Sequence, residues 1–239
     1  IQDMVPYHLA GDLVALKRVL HHVEQLLPIA PTLGSYRDVA RAMYEGHRGQ
    51  PEQALALYDA LGETIQPFRH PAWSHAQAHR AECLNTLGRH EEALEVCKLA
   101  LSHVTPAARA FVVAYEQLER ESAAALAGLG RVQEAATLLD DLLERSRGLS
   151  HPLLRGLLHR DRARVAHLAG DEQTLAAQYH AACAEFVASG NPTLLAQARR
   201  LATLLAPDLQ EPLSDRRSTL GAAHKDSVVT AVGRKALDS

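Results

Sequence analysis

The stretch Ala81-Glu-Cys-Leu-Asn-Thr-Leu-Gly88-Arg-His-Glu-Glu-Ala93-Leu-Glu-Val-Cys97-Lys-Leu-Ala100 decides the fold. A small residue stands seven positions before a glycine, and small or apolar residues follow that glycine at offsets of 5, 9 and 12. At 3.6 residues per turn those three offsets fall on one face of a helix. The small residue before the glycine lets a second, antiparallel helix approach closely, and the glycine supplies the positive φ that a chain leaving a helix often needs.

The same grammar recurs along the chain. It reads Ala42, Gly49, Ala54, Tyr58, Leu61, then Ala123, Gly130, Ala135, Leu139, Leu142, then Ala163, Gly170, Leu175, Tyr179, Ala182. A truncated copy runs Gly11, Leu16, Leu20, Val23. Successive glycines lie 38, 39, 42 and 40 residues apart. A period of that size marks stacked helix pairs, because one pair cannot bury its apolar stripe alone. Prolines at Pro51, Pro71, Pro106, Pro152 and Pro192 suit first turns, and Thr105 and Asn191 suit N-caps. The pattern predicts helices over about 12–28, 35–47, 51–65, 71–87, 90–104, 106–129, 131–147, 151–169, 171–189 and 191–205. No stretch alternates with period two for long enough to form a sheet.

These slots resemble tetratricopeptide (TPR) repeats over residues 1–189. Ala42, Ala81, Ala123 and Ala163, the glycines, and Ala54, Ala93 and Ala135 match the repeat, and Tyr7, Leu84 and Leu126 fill its aromatic or apolar slot. The early tryptophan is replaced by Asp38, Gln77, Glu119 and His159, Glu45 takes one normally apolar slot, and the period exceeds the usual ~34 residues. The resemblance implies an all-α fold, an α-solenoid of TPR-like antiparallel helix pairs in a right-handed superhelix. Repeats would occupy about 1–34, 35–70, 71–105, 106–150 and 151–190, with a closing helix at 191–205. The longer pairs resemble the C-terminal helical repeats of large bacterial serine/threonine kinases, signalling ATPases and transcription activators.

Composition narrows the function classes. At 239 residues and 47% hydrophobic content the chain can bury a sizeable core, and with only 4% aromatics that core must be Leu, Ala and Val. A net charge of −3 gives no electrostatic case for nucleic acid. No apolar run reaches the ~20 residues that span a bilayer, so no membrane partner is expected. Cys83, Cys97 and Cys183 are odd in number and scattered, which points to reduced thiols and a cytoplasmic location. The start at Ile1, inside a helical repeat, points to a piece of a longer protein without a signal peptide. Residues 207–239 lack aromatics and long apolar runs and are expected to be disordered, and Arg216-Arg217-Ser218-Thr219 resembles a target of basophilic kinases.

Chemistry-bearing motifs are few. His75 and His79 are one turn apart and near His70, but Ala76 stands where a His-Glu-x-x-His motif has its glutamate, and no nearby ligand completes a set. His159-Arg160-Asp161 spells a kinase triplet, yet it lies inside a helix with Ala166 in place of the required asparagine. No catalytic residue, cofactor or metal is expected, and the chain is not expected to be an enzyme. The resemblance implies instead that the first helix of each pair lines a concave groove. Its outward slots, 13, 10, 6 and 3 residues before the glycine, hold His75, Glu82, Asn85, Arg120, Leu157, Arg160, Arg164 and His167. His75, Glu82, Asn85, Arg120, Arg160 and Arg164 are therefore the expected binding residues, with the arginines suited to an acidic protein or peptide. Other domains of the same protein are equally expected partners. The implied function is a non-catalytic interaction or regulatory scaffold in a larger signalling protein such as a serine/threonine kinase, or else the effector-sensing arm of a transcription activator.

Overall fold

In a computed structural model, the protein is described over residues 4–62, 64–67, 70, 72–103, 113–148 and 151–197. The chain divides into two units, 1–198 and 199–239, and every described residue lies in the first. The expectations for the tail at 207–239, for Thr105, Pro71 and Pro106 and for the far end of the closing helix fall outside the described residues.

Among the described residues the structure is all helix and turn. The helices are α1 (Met4–Ala10), α2 (Leu13–Leu26), α3 (Gly34–His47), α4 (Pro51–Gly62), α5 (Trp73–Thr86), α6 (His90–Ser102), α7 (Val113–Gly128), α8 (Val132–Arg145), α9 (Pro152–Ala169) and α10 (Glu172–Ser189). A 3-10 turn, Pro31–Leu33, precedes α3, and residues 192–197 begin another helical segment. The sequence reading missed α1 as a helix of its own, and it overran several ends by two or three residues. At α4, for instance, the helix stops at Gly62 rather than continuing to Ile65.

The repeat glycines carry the turn between paired helices. Gly11, Gly49, Gly88, Gly130 and Gly170 all have φ between 68° and 80°. At each, the next N–H reaches back over six residues: Asp12 to Tyr7, Gln50 to Glu45, Arg89 to Leu84, Arg131 to Leu126 and Asp171 to Ala166, at 2.8–3.0 Å. This closure satisfies a carbonyl that the helix end would leave bare. After Gly11 and Gly170 the next residue also caps the second helix with its side chain. Asp12 and Asp171 accept from the N–H groups of Ala15 and Thr174, both at 2.9 Å. Arg89 and Arg131 instead pair with Glu92 and Glu134, three residues on. Asn191 accepts from the N–H of Thr193 at 2.9 Å and of Leu194 at 3.3 Å.

Helices pack in chain order, each on the next, and the first helices of neighbouring pairs also meet. Every small or apolar slot from Ala42 to Ala182 quoted above is buried. Tyr7 departs from this, remaining 37% exposed where Leu84 and Leu126 are buried. Leu157 also departs from expectation: it is buried rather than facing a groove. At two of the four positions where the tryptophan would stand, polar pairs tie the two helices of a repeat. Glu119 is bound by Arg145, and His159 Nδ1 lies 2.7 Å from Gln178 Oε1. Between repeats, Arg80–Asp59 and Arg162–Asp140 occupy matching slots, each arginine eight residues before its glycine.

Not every contact is between neighbours. α1 packs on α9, and Gln197 Nε2 donates to the Ala10 carbonyl at 3.3 Å. The first pair thereby touches the fifth.

Candidate functional site

The first helices α1, α3, α5, α7 and α9 present a continuous polar ladder toward one another. It starts at His47 on α3, whose Nε2 lies 3.1 Å from His8 Nδ1. His8 Nε2 lies 2.7 Å from Glu82 Oε2 on α5. One turn earlier, His79 Nδ1 accepts from Gln117 Nε2 of α7 at 2.8 Å. Asn85 Nδ2 donates to the carbonyl of Glu121 at 2.9 Å and to its Oε2 at 3.1 Å. Arg120 then reaches α9, placing Nε 2.9 Å and Nη2 2.7 Å from Asp161 Oδ2. The other carboxylate oxygen receives Arg160 Nε and Nη2 at 3.0 and 2.8 Å. Arg160 Nη1 finally donates to Gln197 Oε1 at 3.0 Å, and Gln197 leads back to Ala10.

Burial sets the protonation of this ladder. His79, 1% exposed, is pushed down to about 3 by desolvation, with His8 adding to the effect and Glu82 opposing it. Burial likewise brings His75 down to about 4, so both rings are neutral at neutral pH. Glu82 is a contrary case. Burial would raise it, but the charge and hydrogen bond of His8, with His79 close by, hold it well below the ordinary value, while 38% of its side chain stays open. Glu121 is pushed up to about 8 by burial and by the charge of Glu82, against the pull of Arg120. Burial also opposes ionisation of Asp161, but Arg120, Arg160 and Arg164 outweigh it and hold the carboxyl well below its usual range.

The six residues expected to bind a partner are thus differently engaged. Glu82 and Asn85 lie on the ladder. Arg120 is 6% exposed and committed to Asp161, and Arg160 is 15% exposed with Asp161 and Gln197 as partners. Arg164 is the open cation of the three, with 59% of its side chain exposed and Nη1 3.9 Å from Asp161. His75 is half-buried, and its Nδ1 has no hydrogen-bond partner among the described residues.

The histidine reading needs correction. His70 turns to Ser35 Oγ at 2.8 Å and accepts from the Ala72 N–H, so it does not join His75 and His79. A carboxylate does stand at a helpful spacing. Glu82, three residues after His79, places Oε2 3.7 Å from His79 Nδ1. The missed partner is His8, 74 residues from Glu82 in sequence. His8, His79 and Glu82 each offer a donor atom within 4.8 Å of the others.

This arrangement of glycine-turned helix pairs is that of a TPR-like repeat array, and solved structures agree. A Rap protein complexed with Competence and Sporulation Factor superposes with a TM-score of 0.65 at 18% identity, over 80% of this chain and 51% of that one. A signal-transduction ATPase with a tetratricopeptide-repeat sensor from Pyrococcus horikoshii gives 0.60 at 19% identity, over 79% of this chain and 28% of that one. A kinesin-light-chain TPR-like repeat protein from Podosopora anserina gives 0.53 at 18% identity, over 78% of this chain and 92% of that one. No protein-family model and no curated protein matches the chain. Among the described residues no helix is long and apolar enough to cross a membrane.

Proposed function

We propose that this chain is a non-catalytic interaction or regulatory scaffold, docking a protein or peptide segment beside the polar ladder of its first helices. The observation that carries the reading is the end of that ladder on α9. Arg164 leaves its guanidinium open, and Leu168, one turn further along the same face, is 60% exposed. A cation beside an apolar side chain, over a pair of helices held rigid by Arg120–Asp161, suits a segment with an acidic and an apolar residue. The parent is a signalling protein of the kinase or ATPase type. The repeat sensor of the Pyrococcus horikoshii ATPase supports a sensing role for such an array, and the Rap complex supports its use as a receptor surface. Arg164→Gln tests the reading, because it removes the open charge while Arg120 and Arg160 still hold Asp161. A specific partner recovered by the wild-type chain and lost by the variant is expected. Equal recovery of every partner by both would overturn the α9 surface as the docking site.

A further inference from the structure

The cluster around His8 has more donor capacity than a docking ladder needs. α5 offers His79 and Glu82 on one face, three residues apart, and α1 brings His8 Nε2 to 2.7 Å from Glu82 Oε2. We propose that His8, His79 and Glu82 form a binding site for a divalent first-row transition cation of the zinc type, which would fasten α1 to α5.

Four observations support it. The donor set, two imidazoles and a carboxylate, is one that zinc takes. The geometry is close to what the ion needs: bonds of about 2.0–2.2 Å in a tetrahedron put ligand atoms roughly 3.3 Å apart, and the three donors already lie within 4.8 Å of one another. His47 Nε2, 3.1 Å from His8 Nδ1, can accept the proton on that nitrogen and so orient the ring with Nε2 toward the ion. Last, a cavity of about 50 Å³ adjoins the cluster, lined among others by His8, His47, Tyr58, His79 and Glu82. Two polar atoms of that lining, the Tyr58 hydroxyl and His79 Nε2, are buried without a hydrogen-bond partner among the described residues. Tyr58 is 2% exposed and His79 1%. Buried polar atoms are nearly always satisfied, and an ion that takes the His79 Nδ1 lone pair from Gln117 Nε2, carrying one or two waters, would satisfy these. The adjoining cavity is large enough to hold such a water.

The test is calorimetric titration of Zn²⁺ into the full chain after chelator treatment, at neutral pH. One saturable site per chain is expected, with a Kd of about micromolar or tighter. His8→Ala and Glu82→Gln should each weaken it by about tenfold or more. His21→Ala/His22→Ala, which removes two exposed histidines, should leave it unchanged. Absence of a saturable site, or wild-type affinity in Glu82→Gln, overturns the proposal. If a variant loses its helical signal, X-ray absorption at the zinc edge of the wild-type complex decides instead. Two imidazoles and a carboxylate around the ion support the site; a shell of water with one imidazole or none refutes it.

Discussion

Asp161→Asn is the sharpest perturbation of the ladder, because it removes a charge and almost no volume. Asp161 is 17% exposed and takes four short contacts from Arg120 and Arg160, with Arg120 itself 6% exposed. In the variant the side-chain oxygen still accepts, but the amide nitrogen faces guanidinium donors, and Arg120 is left as a buried cation. Breaking one partner of a buried pair costs about 3–5 kcal/mol. Arg164 adds little to this, since it is mostly exposed and 3.9 Å away. At about 2–4 °C per kcal/mol for a chain of this size, the melting temperature should fall by roughly 6–20 °C. Thermal unfolding followed by circular dichroism reads the shift. The sign in pH follows from the depressed carboxyl: its stabilising contribution is present above the unfolded value of about 3.9 and is lost only as pH falls through the lower folded value. The difference between wild type and variant should therefore persist from neutral pH down to about 4. A shift under 2 °C at neutral pH would refute the claim that Asp161 holds α7 against α9.

Two other substitutions probe different parts of the fold. Gly156→Ala would place a Cβ inside the contact distance of the Phe186 ring, which is fully buried. Overpacking of this kind costs about 1–3 kcal/mol and should outweigh a helix-propensity gain of up to ~1 kcal/mol, so a lower denaturation midpoint is expected and an unchanged one would show that α9 and α10 can part there. Glu121, surrounded by Glu82, Arg120, Asp161 and Asn85, is raised to about 8. Its contribution is complete below the unfolded value of about 4.3 and is lost as pH rises through 8, by up to about 1.4 kcal/mol per pH unit. Glu121→Gln should flatten that decline, and parallel stability–pH curves between pH 6 and 9 for the two proteins would refute a protonated Glu121.

What the sequence disclosed and what it hid separate along a physical line. The slots around Gly88 were legible because each is a local demand: Ala81 and Ala93 must be small where two helices touch, and the glycine must reach positive φ. Such demands repeat, and repetition makes them visible without a structure. The polar face was only half legible. The resemblance to TPR repeats implied that Glu82, Asn85, Arg120 and Arg160 face the groove, but what they meet depends on how successive pairs are rotated, and no local rule gives that. Arg120 was therefore read as open to a partner, although Asp161, nine residues before the next glycine, lies against it. His8 and Glu82 were further out of reach, since their contact needs α1, a seven-residue helix whose pattern is too short to show a period.

That α1 contact also changes how the array should behave. In a stack where each pair touches only its neighbours, stability is close to a sum of intrinsic and nearest-neighbour terms, and the ends can fray independently. Here the first pair touches the fifth through α1 and α9, and Gln197 bridges Arg160 to the Ala10 carbonyl. Opening the first pair must therefore also break links to α3, α5 and α9, and releasing residues 192–197 must free both Arg160 and the turn before Gly11. The buried polar atoms raise the cost of each step, because a ladder broken at His8 or at Asp161 leaves charged or hydrogen-bonding groups without partners. The two ends are thus coupled by specific polar contacts, while the alanine-rich slots supply the unspecific packing between neighbours. A partner that displaced α1 or engaged Arg164 would act on the coupled part of the structure, and its binding would be felt at the far pair without any change in the packing of the pairs between.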